Sequence, residues 1–289
     1  MEKITFTNSR GQAVVLGEAA PYILTKIEGL GGVGADIQTQ KSPFQNGETY
    51  IGNQLEPRSL SMEITIIASS EDDIVSKRRQ LLQAFNPTLG EGTLLYEFGS
   101  LKREIKAISD STPTFPDAGS FKTLQQPALI QLYCANPFWF EKAAHDEEMA
   151  EWIGGLTFPL RLPMTFASRS SKQNTVIRND GDVETPVTFE FLGPAANPRI
   201  TNETTGEYIQ INREITTDEK LIVTTGFGNK TVILKEITTG QESNAFNWID
   251  LGSTFFQLEI GDNLISYNAG TVQRNAKAWV KWRNRYVGV

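Results

Sequence analysis

Residues 58–68 alternate along their length, with Leu60, Met62, Ile64 and Ile66 on one side and Ser59, Ser61, Glu63 and Thr65 on the other. A period of two predicts a strand with one face in a core and one in water. Upstream, Ile4 to Leu16 predicts two strands turned through Asn8 to Gly11, residues that bond their own backbone or accept positive φ. Tyr22 to Ile27 predicts a third strand, followed by a glycine loop at 29–34 and a short extended piece at 37–40. After residue 68 the period becomes helical. Ser70 is a capping residue, Glu71, Asp72 and Asp73 complement the positive end of a helix, and Pro87 stops it, so one helix is predicted over about 71–86. Its inward stripe would be Ile74, the Arg78 stem, Leu81, Leu82 and Phe85. Strands over 93–98, 102–109 and 128–134 follow, with a long irregular loop at 110–126, a length that usually marks function or partner contact.

The second half changes character. Turn signals at Asn179-Asp180-Gly181, Thr204 to Gly206, Gly226 to Asn229, Thr239-Gly240 and Gly261-Asp262-Asn263 separate predicted strands at 187–192, 208–212, 220–225, 230–237, 255–260 and 276–282. Strands at this spacing without a helical period predict an antiparallel β-sandwich. Between the halves, the strand from Gln131 ends in Pro137-Phe138-Trp139, an aromatic cluster that marks a domain joint. The expected fold is therefore mainly β and two-domain. Residues 1–141 form a β-sandwich or split barrel with one helix, 142–156 a linker, and 157–289 a β-sandwich.

Composition narrows the function classes. A chain of 289 residues with 39% hydrophobic and 21% charged positions can bury two cores and is not a disordered tract. No apolar run approaches the ~18 residues needed to cross a bilayer, and Met1 to Phe6 lacks a secretory layout, which predicts synthesis in a cytoplasm and no membrane insertion. The net charge of −7, with no basic patch, argues against sequence-specific nucleic-acid binding. Cys134, the single cysteine, rules out an internal disulfide and a cysteine-rich metal site, and is expected as a buried small hydrophobe. His145, the single histidine, sits among Asp146, Glu147 and Glu148 and is expected as a solvated linker residue.

Candidate chemistry is sparse. Gly29-Leu-Gly31-Gly-Val-Gly34 has the spelling of a dinucleotide loop, but the residues after it have no helical period and meet Pro43, so no helix start is there to receive a pyrophosphate. A sheet-connecting loop is the better reading. The carboxylate pairs Asp72/Asp73, Glu147/Glu148 and Asp180/Asp182 are accounted for by a helix start, a linker and a turn, and adjacency alone does not set two carboxyls across a cleft. No catalytic residue, metal or cofactor is assigned. In the last predicted strand, Trp279 falls among Lys277, Lys281 and Arg283 on the polar side, which makes it a candidate interface or glycan contact.

The order of these features resembles the distal tail protein family of long-tailed, siphovirus-type phages. The resemblance rests on the opening hairpin, the Pro43-Phe-Gln-Asn-Gly47 loop after a Gly-rich turn, the helix ending near Asn86-Pro87, the Pro137-Phe138-Trp139 ending, and Gly261-Asp262-Asn263 late in the chain. It implies a structural virion protein and not an enzyme. In that reading residues 1–141 oligomerise into a ring, typically of six copies, at the tail tip, and the second domain is a galectin-like sandwich facing outward. The ring would join the tail tube protein to a tail-associated tip protein and a receptor-binding protein, and it would be assembled in the bacterial host's cytoplasm. A genome passing through the ring slides best along a wall that is neutral or acidic, because each Lys or Arg on a phosphate adds affinity. The competing reading is a lectin-like carbohydrate-binding module that uses exposed aromatics of the sandwich.

Overall fold

The computed structural model describes residues 2–116, 124–149, 173–269 and 277–289, and its chain divides into two compact units, 1–142 with 286–289 and 143–285. Parts of the expected 110–126 loop and the 142–156 linker lie outside the described residues.

In the first unit, β1 (Glu2–Thr7), β2 (Ala13–Gly17), β3 (Tyr22–Glu28), β4 (Ala35–Gln40), β5 (Thr49–Leu55) and β6 (Arg58–Ile67) precede helix α1 (Glu71–Ala84); β7 (Gly92–Phe98), β8 (Leu101–Ser109), β9 (Gln125–Cys134) and β10 (Trp139–Glu141) follow. Hydrogen bonding runs β8-β7-β1-β2-β3-β6-β9 and returns to β8, where Ile108 faces Tyr133 and Ser109 faces Leu132. The sheet is thus a closed barrel, which removes free edges from those seven strands. Inward residues are those the alternation assigned: Leu60, Met62, Ile64 and Ile66 are buried against Ile4, Phe6, Leu16, Leu94, Ile105, Ile130 and Leu132. Each such side chain contributes roughly 1.5–3 kcal/mol when removed from water.

Helix α1 carries the expected cap, with the Asp73 N–H donating to Ser70 Oγ at 3.2 Å. Its packed stripe is Ile74, Leu81, Ala84 and Phe85. Leu82, expected in that stripe, is 38% exposed, because the inward face continues through Ala84 instead. Asp73 also accepts from Lys77 Nζ at 2.6 Å and from Ser69 N at 2.8 Å, and chiefly the Lys77 bond holds its pKa down at about 2. An unfolded Asp titrates near 3.9, so this contribution to stability is complete above about pH 4 and is lost as the pH falls toward 2. Asp73→Asn should flatten the acid limb of melting temperature against pH over that window and leave the neutral limb parallel to wild type.

The second unit contains β11 (His145–Glu148), β12 (Gln173–Asn179), β13 (Val187–Leu192), β14 (Ala195–Ala196), β15 (Arg199–Asn202), β16 (Tyr208–Gln210), β17 (Glu214–Ile215), β18 (Glu219–Gly226), β19 (Asn229–Glu236), β20 (Glu242–Asn244), β21 (Gly261–Asn268) and β22 (Lys277–Trp282); the last strand, β23 (Arg285–Tyr286), is hydrogen-bonded in the barrel sheet beside β10. One sheet is ordered β11-β22-β13-β18-β19-β20 and the other β12-β21-β15-β16. Phe189, Phe191, Leu221, Val223, Ala278 and Val280 from the first share a core with Ile177, Ile200, Ile209 and Ile265 from the second, the arrangement of a β-sandwich.

Two expectations change here. Among the described residues, 255–260 pair only through the single bridge between Leu258 and Thr185, although Phe256 and Leu258 are buried. Alternation reports which side chains turn inward, not whether a neighbouring strand is available to pair. His145 belongs to a strand and not to a linker: it pairs with Trp282 and stacks on that ring at 5.2 Å.

Candidate assembly surface

Among the described residues the hairpin β4–β5 pairs only with itself and stands outside the barrel sheet. Every residue of β4 is exposed, and Ile37, Tyr50 and Ile51 are each about 60% exposed. Isolated two-stranded hairpins are marginal in water, and apolar residues at such exposure mark contact sites. The tip is a turn in which Gln45 N donates to Ser42 O at 3.1 Å, with Pro43 at its second position. Phe44 follows at φ +64 with its side chain wholly in solvent, an uncommon conformation for a residue with a Cβ. Gly47 closes the tip at φ +76. Thus Pro43 and Gly47 shape a protruding arm. Sequence reading found only one of its strands, since Thr49–Leu55 lacks a regular alternation.

At the other end of this arm lies the most unusual residue of the unit. Arg58 is buried to 1% exposure, and every hydrogen bond its guanidinium makes among the described residues goes to a backbone carbonyl. Nε donates to Pro137 O at 2.9 Å, one terminal nitrogen reaches Gly29 O at 2.5 Å and Leu30 O at 3.1 Å, and the other reaches Val287 O. Burial lowers its pKa, yet an arginine stays charged across all ordinary pH. The glycine loop therefore turns carbonyl oxygens toward a cation, the opposite polarity to a phosphate loop, which offers N–H groups. Gly29 is required there: at φ +90, a Cβ would stand 2.1 Å from Ser59 O. Trp139 is fully buried beside this node, donates from Nε1 to Leu30 O at 3.2 Å and meets Tyr96 edge-on at 6.3 Å. Phe138 is half-buried, and its N–H donates to Asn136 Oδ1 at 3.2 Å. Trp139 is thus part of the barrel's own core, and the Pro137-Phe138-Trp139 run lies just before the unit boundary. Cys134, also buried, has its thiol pushed up to about 12 by burial.

In the sandwich, Trp279 is half-buried on the outer side of β22, opposite Glu190 of β13 and Glu148 of β11. Its neighbours are already paired: Lys277 with Glu148 at 2.9 Å, and Lys281 and Lys220 with Glu190 at 2.9 and 2.6 Å. Burial pushes the Glu190 pKa up, but its bonds to the two lysines outweigh this and hold it low. Gly261-Asp262-Asn263 is structural in its contacts. Gly261 takes φ +88, Asp262 lies 3.5 Å from Arg178, and the buried Asn263 donates to Glu259 O at 2.8 Å while accepting from Glu259 N at 3.0 Å. Among the described residues no group of three or more His, Cys, Asp or Glu could hold a metal.

Residues 9–134 match the phage tail protein RIFT-related domain, and residues 180–286 match the C-terminal domain of the siphovirus-type tail component. The chain belongs to the distal tail protein family of siphovirus-type phages. No curated protein matches it in sequence. Among solved structures, this distal tail protein is similar to the Dit protein of phage SPP1, described as a paradigm of hub adsorption apparatus in Gram-positive infecting phages, at 12% identity over 98% of both chains with a TM-score of 0.69. It is also similar to a chain of the phage P2 baseplate in its activated conformation with calcium, at 13% identity over 100% of both chains and a TM-score of 0.59. For the strontium form the values are 12%, 97% and 98%, and 0.53. At such identities the likeness establishes the fold. Sequence reading of this distal tail protein missed Arg58, and the one available signal was an arginine placed at an inward position of an otherwise apolar alternation.

Proposed function

We propose that this tail component is the distal tail hub of its virion, a homo-oligomeric ring, six-fold in the family pattern, that joins the tail tube to tip and receptor-binding components. The observation that carries this reading is the β4–β5 arm. It presents Ile37, Phe44, Tyr50 and Ile51 to solvent on a hairpin that pairs with no other described strand. A ring repeats one interface head to tail, so an arm of this kind finds its apolar cover on the next copy. The sandwich then faces other virion proteins, with Trp279 a candidate contact, and the ring wall is neutral or acidic, which suits passage of a genome.

Size-exclusion chromatography with light scattering, together with negative-stain microscopy of the full chain, tests this. Wild type should form rings, and Phe44→Asp with Ile51→Asp should yield monomers with an unchanged circular dichroism spectrum. Wild type that stays monomeric at high concentration, or a double variant that still forms rings, would overturn it.

A further inference from the structure

The chain contains one Asn-Gly pair, Asn46-Gly47, and one Asp-Gly pair, Asp180-Gly181, and the structure treats them oppositely. At Gly181 the N–H donates to Asn179 Oδ1 at 3.0 Å, a Cβ would sit 2.4 Å from Arg285 O, and Asp180 is engaged by Arg178 at 2.6 Å. Asn8, which precedes Ser9, is locked as well: its Oδ1 accepts from Arg10 N at 3.0 Å and Gln12 N at 3.1 Å, and the residue is 5% exposed. Asn46 has none of these restraints. It is exposed at the arm's tip, and among the described residues no hydrogen bond holds its side-chain amide or the Gly47 N–H. The space around Gly47 is open, with nothing within 4 Å of where a Cβ would stand.

We propose that Asn46 is a self-modification site of the unassembled chain. The Gly47 nitrogen gives its proton to hydroxide and bonds to Asn46 Cγ, the Cγ–Nδ2 bond breaks, and ammonia leaves with the proton it needs from water. A second water then opens the cyclic imide at either carbonyl, leaving an aspartate or an isoaspartate at position 46. Glycine permits this because no side chain shields its nitrogen, and no hydrogen bond among the described residues holds the amide carbon's group and that nitrogen apart. The product carries a new negative charge near Glu48, and the isoaspartate form adds a backbone atom to the tip. The consequence rests on the ring reading above: a contact made by the tip leaves the new carboxylate desolvated, so aged chains are disfavoured at the interface, while chains already assembled are shielded from the reaction.

The test is peptide mass spectrometry of the purified full chain, aged at mildly alkaline and at mildly acidic pH, together with ring formation by N46D and N46S. The Asn46 peptide should be the first to exchange NH2 for OH, faster at the higher pH, and should split into two isomers while the Asp180 peptide keeps one. N46D should lose ring formation and N46S should retain it. Asn46 converting no faster than Asn136 or Asn229 would overturn the chemistry. Conversion with N46D rings intact would overturn the link to assembly, whereas a wild type that never forms rings would overturn the ring reading instead.

Discussion

Arg58→Met lowers the stability of the first unit by about 3–5 kcal/mol in urea unfolding, because removing the cation leaves a set of buried carbonyls without donors. Methionine fills much of the volume but donates nothing to Gly29, Leu30, Pro137 or Val287. Arg58→Lys should recover only part of the loss, since an ammonium is a point donor and cannot span carbonyls on several sides of a planar fork. The two variants together separate charge from geometry: equal recovery by lysine would show that the positive charge alone suffices. A Met variant as stable as wild type would mean that the carbonyls find water when the guanidinium is gone.

Phe85→Ala should cost a comparable amount, about 3–5 kcal/mol, by opening a cavity where the helix seals the barrel. Phe85 is fully buried and stacks on Phe6 of β1 with centroids 4.6 Å apart and planes 15° from parallel. It also ends the helix, its N–H donating to Leu81 O at 2.9 Å, so the loss of packing falls on the residue where the chain turns away. Calorimetric or urea unfolding measures the effect. Leu82→Ala on the same helix, at a 38% exposed position, should change stability by less than about 0.5 kcal/mol and provides the internal comparison.

Local pattern carried most of the fold. The alternation of β6, the cap at Ser70 and the turn residues of the sandwich each follow from interactions within a few residues, so most barrel strands, the helix and the two-unit division were legible, whereas β12, β15 and β21 of the second sandwich sheet were not among the expected strands. What was not legible depends on residues far apart. Barrel closure rests on β8 meeting β9, which no window of sequence contains. The same holds for Arg58, whose partners at 29, 137 and 287 come from three distant segments. At the surface, Pro43 and Gly47 were legible as a loop, but that this loop crowns a self-paired arm needed β5, whose exposed residues have no core to impose a period on them. Trp279 was placed on the polar side of its strand, where the structure has it, yet the carboxylates that pair its lysine neighbours arrive from β11 and β13 and could not be read from β22 alone.

Because the carbonyl of Val287 completes the shell around Arg58, and residues 286–289 belong to the first unit, a ribosome making this chain delivers the barrel's last piece only after the whole sandwich has emerged. The Val287 carbonyl is therefore the last of the oxygens around Arg58 to be made, and a severed barrel fragment would lack it.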